Sequence, residues 1–469
     1  MGSSLGLQPV EKMVDAVFGH IDLGDPRREK RLQQVARACI QSPGVSFGQR
    51  FGSPKETKGA YRLLENEQIA GRDLLDALEE SGGQACAGRE RIFAVQDTTE
   101  LDFSHRQTIE GMGPLHTQAN PGQGLLLHTT LALDERGSPL GYVGISLWAR
   151  DPEEMGKRSQ RRQKPIEEKE SYKWIEGIER AQQSIETHGL AEEPSPAIIH
   201  VMDREGDIFE VFEKVYACGH GVVVRASRNR NVASQEGYLW ETLQAQPVGG
   251  KTALPIPAKP GRAARTALLE IRWGQVTLQP PRTRQKGKVP VAVSAVWVSE
   301  PNPPKDGKPL EWMLLTTEPV ESWEEVLEIV QVYRHRWRVE ELHLILKSGC
   351  RMEQGQFGSR EAIEKMLSLN LLAALRILTL RYVAESQPDC AADEVLNETE
   401  QEALRIYVRH RFGQMLGARM TVAEVRQWIG RIGGHLGRRG DGPPGVRTLW
   451  RGWRDFQLIL SMHIALHPT

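Results

Sequence analysis

Between residues 91 and 226 the apolar residues fall into short runs in the order strand, strand, strand, helix, strand, helix, strand, and that order restricts the fold more than any other feature. RIFAVQ (91–96) is a short apolar run closing on Asp97-Thr98-Thr99 and reads as a buried strand. GLLLHTTLALD and LGYVGISLWA read as two more strands, joined by the hairpin signal Glu135-Arg136-Gly137-Ser138-Pro139. The polar, charged stretch from Arg150 to Lys164 reads as a flexible loop. KESYKWIEGIERAQQSIE reads as a helix, PAIIHVMD as a strand closing on Asp203, GDIFEVFEKVYACG as a helix and GVVVRAS as a strand. A three-stranded meander followed by crossover units predicts an α/β fold, a mixed five-stranded sheet with helices on its faces.

The flanks differ. Residues 8 to about 85 read as helical, with Asp25 as an N-cap before Pro26 and a break at Ser81-Gly82-Gly83. Residues 229–321 are rich in Pro, Gly and β-formers and read as a β-rich insertion. Ser322-Trp323-Glu324-Glu325 is a capping box that opens one long helix through about Ser348, ended by Gly349. A second apolar helix follows, and near Gln387-Pro388 the chain enters a last helical region. The expected boundaries are 1–85, helical; 86–386, the mixed sheet with its β-rich insertion; and 387–469, helical.

At roughly 100–200 residues per domain, 469 residues make two to four structural units, and 39% hydrophobic with 26% charged residues suits a large folded core. No run of eighteen apolar residues and no secretory leader stands out, so no membrane span is expected. The five cysteines are scattered and never form C-x-x-C, which argues against a disulfide framework or a zinc site and fits a reducing cytoplasm. Net charge is only −1, yet basic residues cluster: eleven Arg against two acids over 405–454, nine basic residues against one acid over 251–288, and five against two over 25–37. Blocks of this kind suit a phosphate backbone.

Asp97 and Asp203 each close a strand. Ligands of open sheets gather at the carboxyl ends of strands, so the two would share one pocket, and carboxylates held together suit hard cations such as Mg²⁺. On the long helix Tyr333, Arg336, Glu340 and Lys347 stand at i, i+3, i+7 and i+14, within an arc of roughly 60°. One face would carry a carboxylate to complete a metal site and two cations and a hydroxyl to hold phosphate oxygens. The competing reading is a solvated face with an Arg336–Glu340 ion pair.

The ordered pattern D…D…Y-x2-R-x3-E-x6-K resembles the bacterial cut-and-paste transposases of the insertion-sequence-4 family, to which the transposon-5 transposase belongs. Leu23-Gly24-Asp25-Pro26-Arg27-Arg28 and Gly59-Ala60-Tyr61-Arg62 resemble its N-terminal segments. Asp97-Thr98-Thr99, Asp203-Arg204-Glu205 with Asp207, and Val223-Val224-Arg225 resemble its core. Glu311 to Thr316, Tyr333 to Glu341 and Lys347-x-Gly349 resemble the insertion tip and the signature helix.

The resemblance implies an RNase H-like core in which Asp97, Asp203 and Glu340 hold two Mg²⁺ ions, with Mn²⁺ able to substitute. Water would nick one strand at a transposon end; the freed 3′-hydroxyl would close a hairpin, which is hydrolysed, and the released 3′-ends would attack target DNA. Trp312 would stack on a base displaced from the hairpin. Its competing reading is a core Trp of a β-hairpin. Tyr333, Arg336, Lys347 and Arg225 would grip DNA near the scissile bond, and Arg27, Arg28, Arg31 and Arg62 would read or position the terminal repeat. The implied partners are double-stranded DNA, as inverted repeats and target, and a second copy of the chain; no membrane and no nucleotide cofactor are expected. The location would be the cytoplasm, at the bacterial nucleoid. The Arg- and Gly-rich tail suggests a further DNA contact. A silent end-binding repressor and an RNase H-like nuclease are the alternatives; a metabolic hydrolase is disfavoured because no phosphate-binding glycine loop and no Ser/His/Asp arrangement is found.

Overall fold

A computed structural model of the chain describes residues 4–106, 109–116, 120–155, 164–188, 195–234, 237–256, 264–281, 287–304, 309–438 and 440–467. The N-terminal helices are α1 (Val10–Phe18), α2 (Pro26–Gln41), α3 (Pro54–Leu64) and α4 (Gly71–Ala85). Asp25 caps α2 by accepting the N–H of Arg27, with Pro26 at the first helical position. The expected break at Ser81-Gly82-Gly83 does not occur: α4 runs straight through it. Those glycines serve close approach instead. A Cβ on Gly82 would stand 1.8 Å from the Tyr142 carbonyl oxygen, so the helix backbone lies directly on the next sheet.

The central elements are β1 (Arg91–Asp102), β2 (Gly124–Leu133), β3 (Pro139–Trp148), α5 (Lys173–His188), β4 (Ala197–Met202), α6 (Phe209–Cys218) and β5 (Gly221–Arg225). β1 does not stop at Asp97. It leaves β4 after Val95 but continues beside β2 to Asp102. The loop expected over 150–164 lies largely outside the described residues. The insertion holds α7 (Leu239–Gln244), β6 (Gly250–Ile256), β7 (Arg265–Leu278), β8 (Val291–Ser299) and β9 (Glu311–Thr316).

All nine strands form one sheet in the order β3-β2-β1-β4-β5-β9-β8-β7-β6. The five expected strands are β1 to β5; the insertion continues their hydrogen bonding through an antiparallel β5–β9 pair. Pairs β1–β4 and β4–β5 are parallel and the rest antiparallel, as crossover helices require. Period-two alternation separates the faces. Phe93, Val95, Ile199, Val201 and Val223 join the larger core, while Met202, Val222 and Val224 pack with α5 and α6. At the β3 edge, α4 satisfies backbone groups. Glu79 accepts the Ile145 N–H at 2.9 Å and Arg72 donates to the Ile145 carbonyl at 2.6 Å.

The expected long helix divides. After α8 (Trp323–Arg334) the chain tightens at His335–Arg336 and resumes as α9 (Trp337–Leu344), which ends in a widened turn, Ile345–Gly349. The tightening carries His335 and Arg338 toward the β2–β3 turn. Gly137 (φ +78°) leaves room there, since its Cβ would overlap the Arg338 guanidinium. Then come α10 (Arg360–Ser386), α11 (Glu398–Phe412), α12 (Val422–Ile432) and α13 (Val446–Leu466). Among the described residues α10 alone has the length and hydropathy to cross a membrane, but 89% of its most apolar window is buried inside the protein. It is the core helix on which both ends of the chain dock.

Candidate active site

The parallel β1–β4 register pairs Val95 with Val201. Carried on by two residues, it sets Asp97 level with Asp203, where the ladder ends and the strands open. Asp203 caps a short turn, its Oδ1 accepting the N–H of Glu205 at 2.7 Å. Asp97 Oδ1 lies 2.8 Å from the Thr98 backbone nitrogen. α9 packs on β1 and presents Glu340 there. His343, one turn on, fastens α9 to β2 by a 2.9 Å hydrogen bond with Thr129.

Electrostatics shows the three acids converging. Burial pushes the Asp97 carboxyl up to about 7, with the Asp203 and Glu340 charges adding to the rise and the Thr98 N–H and Arg336 opposing it. Arg336 pairs with Glu340 at 2.6 Å, the ion pair of the competing reading, and belongs to the acid cluster at the same time. Its Nε is buried with no hydrogen-bond partner among the described residues.

Beside this cluster Trp312 and Tyr333 are packed against each other, not open. Trp312 on β9 is 8% exposed and meets Tyr333 edge-on, with ring centroids 5.4 Å apart. The core reading of Trp312 therefore describes its state in the free protein. Arg225 also faces Tyr333, and its guanidinium donates to the Glu311 carbonyl at 2.7 Å. Lys347 falls in the widened turn and reaches back to β1, donating to the Glu100 carbonyl at 2.7 Å and standing 3.1 Å from Glu353. In the N-terminal region Arg27 and Arg62 are exposed. Arg28 holds the Leu23 carbonyl at 3.1 Å, and Arg31 packs against Gly59, where a side chain would not fit freely. Of the basic insertion block, residues 259, 262, 282, 284 and 286 lie outside the described residues.

Two features escaped the sequence reading of roles. Asp207 is fully buried, accepts from the Ser227 N–H at 2.7 Å and pairs with Arg230, so it ties the loop after β5 to the Asp203 turn. The signal was present as a second acid four residues after Asp203. Trp337 is 45% exposed and lies under the Arg336 guanidinium at 5.1 Å, an aromatic open to solvent beside the acids.

Three family models match the chain. Transposase DNA-binding covers residues 11–69, Transposase DDE domain 138–376, and Transposase Tn5 dimerisation domain 372–463. The chain belongs to the DDE transposase family. The three matches in this order are those of a Tn5-like transposase of the insertion-sequence-4 family, with DNA-binding, catalytic and dimerising parts. Asp203 and Glu340 fall within the DDE match; Asp97 lies before it. A DDE transposase is a polynucleotidyl transferase, and the family generally uses divalent metal ions. The donor set here suits such ions: three hard carboxyl groups converge, and burial, with the Asp203 and Glu340 charges adding to it, raises the Asp97 carboxyl, a cost that a bound cation would relieve. No three His, Cys, Asp or Glu side chains among the described residues already form a closed cage. Mg²⁺, which keeps most of its waters, does not need one.

Proposed function

We propose that this transposase cuts DNA at terminal inverted repeats through hairpin intermediates and joins the 3′-ends to target DNA, with Asp97, Asp203 and Glu340 holding two Mg²⁺ ions. The observation that carries the reading is the β1–β4 register, which brings Asp97 level with Asp203 beside Glu340. When bound, the ions supply activation of the attacking oxygen and stabilisation of the leaving one. The protein's own groups do the rest. Arg336, with an unused donor, Tyr333 and Lys347 receive phosphate oxygens next to the acids. Arg225 steadies the same strand from β5. Water attacks first and frees a 3′-hydroxyl; that hydroxyl attacks the opposite strand's phosphate and displaces the 3′ oxygen of the flanking DNA, closing the hairpin; a second water reopens it by releasing the same 3′-hydroxyl and leaving a 5′-phosphate.

Trp312 takes the displaced base once its contact with Tyr333 opens. Arg27, Arg28, Arg31 and Arg62 engage the terminal repeat. The functional division is residues 1–85 for end binding, 86–386 for catalysis and 387–469 for dimerisation, in a bacterial cytoplasmic protein that works at the nucleoid. The test is Mg²⁺-dependent cleavage of a plasmid carrying the repeats that flank the gene, with Asp203→Ala beside the unmodified protein. Excised DNA with transient hairpin ends, lost in the variant, supports the reading. End binding without cleavage points to a repressor, and cleavage of DNA lacking any repeat points to a general nuclease.

A further inference from the structure

On the face of the sheet turned away from Asp97, buried polar side chains form an unbroken line. It starts at His220, just before β5. His220 Nδ1 is 3.1 Å from His200 Nε2 on β4, and His200 Nδ1 is 3.1 Å from Gln96 Nε2 on β1. Gln96 Oε1 is 3.1 Å from His128 Nε2 on β2, and His128 Nδ1 is 2.9 Å from Thr98 Oγ1, back on β1. Gln96 and His200 are wholly buried and His128 is 1% exposed.

The amide of Gln96 gives this line a direction. Its nitrogen only donates and its oxygen only accepts. His200 must therefore accept at Nδ1 and donate from Nε2 to His220. His128 must donate from Nε2 to Gln96 and accept at Nδ1 from the Thr98 hydroxyl. Both imidazoles are neutral, since burial drives their pKa values well below the ordinary range.

The line sits where the strand needs lateral support. The β1–β4 ladder stops at Val95, so past that point β2 is the one strand paired with β1 among the described residues. The Gln96–His200 bond ties β1 to β4 one residue beyond the ladder, and the His128–Thr98 bond fixes the side chain of the residue whose N–H lies against Asp97. An apolar core at these positions would need no such matching of donors and acceptors. α5 makes room for it. Gly177 lies in mid-helix, where glycine is less favourable than alanine, and a Cβ there would come within 2.5 Å of Gln96 Oε1.

We propose that Gln96, His128 and His200 are positioning residues that hold the Asp97–Thr98 segment of β1 in the geometry a divalent cation requires. The inference rests on the reading of Asp97 as a cation ligand. The test uses the full-length protein and Mn²⁺ as probe, with free Mn²⁺ measured by electron paramagnetic resonance. Gln96→Met keeps the length and removes both amide bonds. It should weaken Mn²⁺ binding about 10-fold, as loss of outer ligand support does, and leave affinity for linear end DNA unchanged. Asp97→Ala is the reference. If Asp97→Ala binds Mn²⁺ like the unmodified protein, the ligand reading itself fails. If Asp97→Ala loses binding and a folded Gln96→Met keeps it, the positioning role is overturned. Imidazole ¹⁵N spectra of the unmodified protein test the line without any substitution: His128 and His200 must both carry the proton on Nε2, and an Nδ1-protonated form of either contradicts it.

Discussion

Asp97 makes the cost of the site visible in a single residue. Its carboxyl is pushed from 3.8 to about 7 in the folded protein, so between those values the folded chain binds a proton that the unfolded chain does not. Stability from this group is present at low pH and is lost as pH rises through that window. Asp97→Asn should therefore raise the stability of the metal-free transposase at pH 8 by roughly 1–3 kcal/mol while abolishing cleavage. Thermal denaturation in chelator checks it; the gain over the unmodified protein must shrink between pH 8 and pH 6. The meeting of Asp97 and Asp203 was legible in the chain because an Asp at the end of an apolar run is a local pattern, whereas the triad with Glu340 rested on the resemblance. The burial of Trp312 was not. It depends on Tyr333, which arrives from α8, outside the insertion. Stacking on a DNA base would require that contact to open, so addition of hairpin-forming end DNA should change Trp fluorescence in the unmodified protein and less in Trp312→Phe.

Among the elements, the helices show where one-dimensional periodicity misleads. Glycine is a poor helix former, so Ser81-Gly82-Gly83 looked like a break, yet α4 needs those glycines to lie on β3. The two readings predict opposite signs for Gly82→Ala. At a frayed or exposed helical site alanine would stabilise by about 1 kcal/mol. Against the Tyr142 carbonyl it should destabilise by about 3 kcal/mol or more, read from the denaturant midpoint. The Tyr333–Lys347 stretch was expected as one straight helix, and the arc of its four polar residues survives only in part. The chain tightens at His335 because Arg338 turns into the hairpin, and it widens at Ile345–Gly349, so Lys347 lands beside Glu100. Nothing within the stretch encodes those bends; Gly137 and β1 impose them. The start of α8 was legible. Ser322 accepts the Glu325 N–H and the Glu325 carboxylate accepts the Ser322 N–H, so Ser322→Ala should cost about 1 kcal/mol, measured by equilibrium unfolding.

At the level of the whole molecule, Arg376 of α10 fastens both ends of the chain. It is fully buried, donates to the carbonyls of Gly6, Gln8 and Val395, and stacks on Trp453 of α13 at 4.9 Å. Arg376→Met removes the donor of these three hydrogen bonds and should cost on the order of 3 kcal/mol, with new protease cleavage before residue 10 as the readout. On α13, Arg447, Arg451, Leu458 and Met462 share one outer stripe, with Leu458 and Met462 about two-thirds exposed (64% and 66%). In a chain with a dimerisation domain that apolar end offers contact area for a second copy, so Leu458→Glu should shift sedimentation toward monomer without lowering the melting temperature. Charge blocks could be read from composition and the order of helices and strands from apolar patterning. The merging of insertion and core into one sheet could not, because it hinges on three residue pairs between β5 and β9.

A sheet nine strands wide has two rims, and every rim is a template on which another chain can polymerise. Here each is disarmed differently. At β3 the Arg72 and Glu79 side chains have already claimed the backbone of Ile145. At β6 the guard is chemical: Lys251 contributes an exposed charge and Pro255 lacks the N–H that an incoming strand would need. The same molecule that must assemble around DNA is thereby kept from assembling along its own edges.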